Sequence, residues 1–267
     1  MSTRPTDAAA QPRPHPLDRR GLIWSIFVVL MAIFLAGELL SPYPYSDTRF
    51  VVAYVVTEVI VAGLLLSLTL TLFAPAELGL RRPQRRPVGA VWPVLVLVGA
   101  VLTAWLVMRV QLPPGTPVDN AQSLLVMRTT LLVGLNEEWI FRGLLLAAFC
   151  RWWGLRRGAF AALAAFSTFH LLNLAAGVAP LSSLFQFANT FVLGAIFLCA
   201  ALASRSLFIP MVGHALYDFA VIDMNSLAKV SGLSPAIGVA PVLGWLLGLW
   251  CLYKLWQLRG HEPPYGA

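Results

Sequence analysis

Glu137, Glu138 and Arg142 stand inside LLVGLNEEWIFRGLLLAAFCRWW, residues 131–153, a stretch otherwise dominated by Leu, Ile, Phe and Ala and longer than a bilayer's hydrocarbon is deep. An ionisable side chain in hydrocarbon costs at least ~2.5 kcal/mol, so such groups need a partner or a task. On a helix, Glu138 and Arg142 share one face at i and i+4, where carboxylate and guanidinium can pair. Glu137 lies about 100° around the helix, on a face Arg142 does not cover. Glu138 therefore reads as a structural carboxylate and Glu137 as one left free for chemistry. The same charges also suit a purely structural role, as polar glue between helices.

The chain has four histidines. His15 and His261 fall in polar tails and read as solvated, whereas His170 and His214 fall inside apolar runs. A lone intramembrane His is ordinarily a helix-packing hydrogen-bonder, but two of them beside an unpaired Glu supply the parts of a hydrolytic site. A carboxylate and an imidazole in reach of one water can activate it. His214, backed at i+4 by Asp218, can stabilise the oxyanion of a tetrahedral intermediate. Counted at ~1.5 Å per residue from the basic helix ends, Glu137 lies about 20 Å deep, His170 about 18 Å, Asp218 about 16 Å and His214 about 10 Å. The shallow His214 implies that its span starts earlier, tilts, or faces a water-filled cavity; a cavity open to the cytoplasm is expected.

These residues must be held by membrane helices. A chain of 267 residues, 58% hydrophobic and 12% charged, with a mean hydropathy of +0.76, is excluded from the soluble class. The expected fold class is all-α, a polytopic transmembrane bundle of about eight spans. These fall near residues 21–40, 50–73, 88–110, 120–150, 158–174, 184–203, 207–224 and 237–256. Residues 1–20 read as a disordered cytoplasmic tail, 21–257 as the membrane domain and 258–267 as a second cytoplasmic tail. The first apolar run lacks a small-residue cleavage site and reads as an anchor, not a removed signal peptide.

The net charge of +7 comes from clusters between the spans, Arg81-Arg82, Arg85-Arg86, Arg151 and Arg156-Arg157 among them. They lack the aromatic–basic pattern of a nucleic-acid binder, so the expected partner is the lipid bilayer, with both termini cytoplasmic by the positive-inside rule. Cys150, Cys199 and Cys251 are scattered and odd in number, so they read as small apolar residues and not as a disulfide framework. Tyr43 and Tyr45 are expected at headgroup depth, Glu38 and Glu58 beside polar partners or an interface, and Asp223 near the outer end of its span. For Trp139, Phe141, Trp152 and Trp153, packing and interface anchoring outweigh a part in substrate access. Asn173 and Gln186 are secondary candidates for lining a pocket.

Three motifs stand in order on successive apolar segments: Glu137-Glu138-Trp139-Ile140-Phe141-Arg142, Phe166-Ser167-Thr168-Phe169-His170 and His214-Ala215-Leu216-Tyr217-Asp218. They resemble the signature of the CAAX-protease and bacteriocin-processing (CPBP, or Abi) family of intramembrane endopeptidases, over about residues 120–224. The resemblance implies an eight-helix bundle, expected in a bacterial plasma membrane, that hydrolyses a peptide bond of a membrane-associated peptide or protein substrate or of a prenylated, CAAX-type one. It implies that Glu137 activates water with His170 as its partner and that His214 and Asp218 form the oxyanion site. Glu138, Arg142 and Phe166 then support the site. Several family members carry Asn where this chain has Asp218. An ionised Asp only accepts hydrogen bonds, so either Asp218 keeps a proton or it orients His214 and the imidazole alone serves the oxyanion.

No cofactor is expected for a glutamate mechanism; the alternative is zinc held by Glu137, His170 and His214. Two other function classes compete. Glu58, Glu137, Glu138, Arg142, His170 and Asp218 can line the proton path of a transporter, although no matched pair of Gly/Pro-interrupted helices marks two halves. A non-catalytic scaffold or immunity protein would keep the same fold and charges for partner binding.

Overall fold

The computed structural model describes residues 14–45, 47–84, 91–232, 239–260 and 263–265. Among them the chain is an all-helical bundle without strands. The helices are α1 (Arg20–Leu40), α2 (Thr48–Leu72, interrupted at Tyr54), α3 (Trp92–Val110), α4 (residues 120–153), α5 (Leu155–Phe169), α6 (Pro180–Ser204), α7 (Phe208–Ser231) and α8 (Val239–Trp256). By length and composition alone, α1, α2, α3 and α6 can cross a membrane. They expose rows of large apolar side chains such as Val28, Leu39, Val56, Ile60, Leu70 and Val110. A water-soluble protein would bury such rows, and lipid solvates them. The protein is integral to the membrane.

The helix carrying the acidic pair is the centre of the bundle, and every residue from 136 to 150 is buried. It packs antiparallel against α7, with Gly134 at the closest approach. A Cβ at Gly134 would lie 2.7 Å from the Met211 carbonyl oxygen and 2.8 Å from the Ala215 nitrogen. α4 is not uniformly α-helical: Asn120–Glu137 leads into a π-helical segment, Glu138–Leu145, and then Leu146–Trp153. In the π register the Leu146 N–H donates to the carbonyls of Phe141 and Gly143 and not to that of Arg142. The Tyr265 hydroxyl, from the segment after α8, donates to the Arg142 carbonyl instead. Such π segments are rare and recur at functional sites.

The helix ends sort into two faces. At one face lie Arg81, Arg151, Arg156, Arg205 and Arg259. Here Ser206 Oγ donates to the Arg81 carbonyl (2.5 Å), the Gln84 N–H to the Ser204 carbonyl (3.2 Å) and the Leu207 N–H to the Gly79 carbonyl (2.9 Å). The α6–α7 turn is thus roofed by residues 75–84, and Ser204, Ser206 and Leu207 are buried. This resolves the depth mismatch expected for His214. Leu207, just before α7, lies beneath a folded loop although Phe208 itself is exposed, so counting from Phe208 leaves out the layer formed by residues 75–84.

Three other sequence readings change. Residues 1–13 of the expected disordered tail lie outside the described residues, but residues 14–19 are docked. Leu17 is buried, its carbonyl accepts from Trp152 Nε1 (2.8 Å), and Asp18 pairs with Arg151 at 2.7 Å. Hydrogen bonds from that guanidinium hold the Asp18 carboxyl below the usual range. His15 is not simply solvated, since its Nε2 lies 3.1 Å from Glu77 Oε1. In the expected C-terminal tail, Tyr265 is buried against Gly79, and its carbonyl accepts from Arg81 Nη1 at 3.0 Å. His261, Arg85 and Arg86 lie outside the described residues. The three cysteines are free.

Candidate functional site

α4, α5 and α7 bring the three motifs to one place. Arg142 Nη1 lies 3.2 Å from Glu138 Oε1, the i,i+4 pair that helix spacing leads one to expect, with both side chains sealed from solvent. The guanidinium is clamped on its other sides. Its Nη2 donates to the Gly194 carbonyl of α6 (3.2 Å), and its carbon sits 3.8 Å from the centre of the Phe166 ring. Glycine at position 194 lets the guanidinium sit this close, because a Cβ there would lie 2.9 Å from Arg142 Nη2 and force a shift.

Glu138 does more than anchor its helix. Its Oε1 is 2.9 Å from His214 Nδ1. A carboxylate there accepts the Nδ1 proton, which turns the opposite ring nitrogen outward. That nitrogen, Nε2, lies 3.7 Å from Glu137 Oε2 and 3.4 Å from Asp218 Oδ2. Phe197 stacks on the His214 ring with centroids 5.1 Å apart. The orienting contact on His214 thus comes from Glu138, while Asp218 shares with Glu137 the nitrogen facing outward.

His170 occupies the last turn of the α5 region, its ring edge-on to Phe166 and Phe169. Its Nδ1 lies 3.0 Å from the Phe166 carbonyl oxygen. A carbonyl can only accept, so this nitrogen carries the proton, and neutral His170 presents Nε2 as an acceptor. Among the described residues no ion-pair contact joins His170 to Glu137; the two line one cavity.

That cavity has a volume of about 710 Å³ and is lined by Glu137, His170, His214 and Asp218 at one end. It runs toward Tyr45, Asp47, Thr48, Asn173, Gln186 and Lys229, all at helix ends opposite the arginine-rich face. The expected cavity exists, but it does not open toward the arginine clusters, because residues 75–84 and Tyr265 fill that side. At its mouth, Asp47 caps α2 through the Arg49 N–H (2.9 Å) and pairs with the Arg49 guanidinium at 2.6 Å. That pairing holds its carboxyl down to about 2.

Some lining groups were named from sequence only in passing, and others not at all. Asn173 and Gln186 do line the cavity: Asn173 Nδ2 donates to Tyr45 Oη (3.1 Å) and to Gln186 Oε1 (3.0 Å). Tyr45 turns inward to meet them and does not simply sit at headgroup depth. Glu58 finds the polar partner expected of it, Asn136, whose Nδ2 donates to Glu58 Oε2 at 2.7 Å. Asn136 itself was missed, although an amide within the apolar run beside Glu137 carries the same signal as the charges. Asp223 is buried and accepts from Trp105 Nε1 (2.8 Å), Arg109 Nη2 (3.1 Å) and Ser123 Oγ (2.6 Å). Trp139 and Phe141 are core packing. Zinc needs its ligands in one coordination sphere. Among the described residues no three His, Cys, Asp or Glu side chains are grouped to hold a metal ion, the set Glu137, His170 and His214 included.

Residues 119–220 match the Rce1-like family model, described as type II CAAX prenyl endopeptidase Rce1-like. Searches of curated proteins and of solved structures gave no significant match. The matched stretch contains all three motifs and the helices that carry them, α4 and α5 together with most of α7. Through that stretch the chain is similar to the CAAX prenyl endopeptidases, the family whose motif order it resembles.

Proposed function

We propose that the protein hydrolyses a peptide bond within the membrane, with Glu137 as the base that activates water. The carrying observation is the convergence of Glu137, His170, His214 and Asp218 on one 710 Å³ cavity whose far end is polar. Water held between Glu137 and His170 Nε2 loses a proton to Glu137, and its oxygen adds to the scissile carbonyl carbon. His214 in its imidazolium form donates Nδ1–H to Glu138 and Nε2–H to the resulting oxyanion, with a protonated Asp218 as a second donor. Collapse breaks the C–N bond, and the proton on Glu137 passes to the departing amine. Glu138, Arg142 and Phe166 position His214 and touch no substrate. No step uses a metal.

The substrate is a peptide or protein held in the membrane. With both termini cytoplasmic, as the arginine distribution supports, the cavity mouth faces the non-cytoplasmic side, and a segment entering from that leaflet is the substrate favoured. A prenylated cysteine is one chemistry that the apolar helix faces around the mouth could accept. Purified protein in lipid vesicles, incubated with a library of membrane-soluble peptides before and after chelation, tests this reading. Cleavage that survives chelation supports it; loss of cleavage on chelation, restored by zinc, would replace the mechanism by a metal-dependent one.

A further inference from the structure

Besides the residues assigned above, the cavity wall carries three more carboxylates, Glu38, Asp47 and Glu58. Two of them are already compensated. Asp47 is paired with Arg49 at 2.6 Å, and Glu58 Oε2 accepts from Asn136 at 2.7 Å. Glu38, near the end of α1, is different. It is 8% exposed, its Oε2 is buried without a hydrogen-bond partner, and no cationic side chain among the described residues lies within 4.0 Å of it. Its polar neighbour is the Tyr54 hydroxyl, which itself donates to the Phe34 carbonyl (3.1 Å). A buried carboxylate oxygen with nothing to accept from is costly unless a ligand or water completes it.

The rest of this wall suits an extended peptide. Tyr45, Asn173 and Gln186 form a hydrogen-bonded trio along it, and Thr130, Asn189 and Thr190 add hydroxyls and an amide. With Asp47 paired to Arg49 and Asp218 protonated in the proposed reaction, Glu38, Glu58 and Glu137 still outnumber the His214 imidazolium and Lys229, the one Lys or Arg among the described lining residues, which stands exposed at the mouth. A peptide binding here by its own carboxylate would meet net repulsion, whereas a cationic side chain would meet a waiting acceptor.

We infer that Glu38 is a specificity subsite that takes a lysine or arginine side chain of the peptide substrate. The inference rests on the endopeptidase reading but concerns which peptides are taken. A charge-assisted bond from a substrate ammonium to a buried carboxylate is worth roughly a tenfold preference or more over an uncharged isostere.

The test uses full-length protein in lipid vesicles and a peptide series carrying lysine, norleucine or glutamate in turn at each position around the cleaved bond. At one position the wild type should favour lysine over norleucine by about tenfold or more in kcat/KM. The ratio should fall toward one in Glu38→Gln, and Glu38→Lys should shift the preference to glutamate. A wild type indifferent to lysine at every position, or a lysine preference intact in Glu38→Gln, overturns the subsite. The same peptides are also titrated against Glu137→Gln and Glu137→Gln/Glu38→Gln for binding. Lysine-selective binding that depends on Glu38, with no cleavage by wild type, would keep the subsite and sink the endopeptidase reading. Binding and cleavage that both ignore Glu38 sink the subsite alone.

Discussion

Glu138 and His214, 76 residues apart in sequence, face each other across α4 and α7 with Oε1 and Nδ1 2.9 Å apart. The carboxylate that neutralises Arg142 therefore also fixes which nitrogen of His214 looks into the cavity. One buried chain runs Gly194 carbonyl, Arg142, Glu138, His214, and it ends between Glu137 and Asp218.

Glu138→Gln should lose activity and also some stability. The amide carries no charge to support the His214 imidazolium and holds its Nδ1–H less firmly, and removing the carboxylate behind the histidine of a serine-protease triad lowers turnover by about 10⁴. A fall of at least about a hundredfold in kcat is expected, together with a lower melting temperature, because Arg142 loses its buried partner. Wild-type turnover from Glu138→Gln would show that His214 needs no such orientation.

Arg142→Ala should destabilise strongly, because it strips the buried Glu138 of its guanidinium and leaves it only the contact with His214. Breaking such a pair from one side costs about 3–5 kcal/mol. Arg142→Lys should rescue little, since an ammonium cannot both reach the Gly194 carbonyl and cover the Phe166 ring. Thermal unfolding in detergent ranks the three proteins.

Gly194→Ala tests the other end of that chain. A methyl 2.9 Å from Arg142 Nη2 must displace the guanidinium or α6, and overpacking of this kind costs about 1–3 kcal/mol. The expected signature is a lower melting temperature together with reduced turnover. An unchanged melting temperature would mean that α6 shifts freely.

Tyr265→Phe removes the hydroxyl that satisfies the Arg142 carbonyl while keeping the ring under Gly79. An unsatisfied buried carbonyl costs about 1–3 kcal/mol. Thermal unfolding should register that loss, and Tyr265→Ala should show a larger one by uncovering residues 75–84. Equal stability of wild type and Tyr265→Phe would show that the π segment satisfies its own carbonyls.

Much of this arrangement was legible in the sequence. Apolar runs separated by arginine clusters mark the helices, and the Glu138–Arg142 pairing follows from i,i+4 spacing. The motif order names which side chains should meet. What could not be read is what depends on partners distant along the chain. The π register arises where α4 is pinned between Gly134 at α7 and Tyr265, and an apolar run has no period that reveals it. The burial of the α6–α7 turn depends on residues 75–84 folding over it, so counting depth from Phe208 made His214 too shallow. The direction of the cavity was misread for the same reason: residues read as a surface loop and a tail instead fill the arginine-rich side. Glu38 and Asn136 carried the same signal as Glu137, a polar group in hydrocarbon, without a motif to set them apart.

In the proposed reaction Glu137 takes a proton from the attacking water. Single-turnover cleavage of one peptide by wild type and by Glu137→Gln, both checked for intact folding, tests it most directly. An amide of the same shape cannot accept that proton, so the rate should drop by about 10³ or more with peptide affinity retained. A Glu137→Gln protein cleaving within tenfold of wild type would contradict the account.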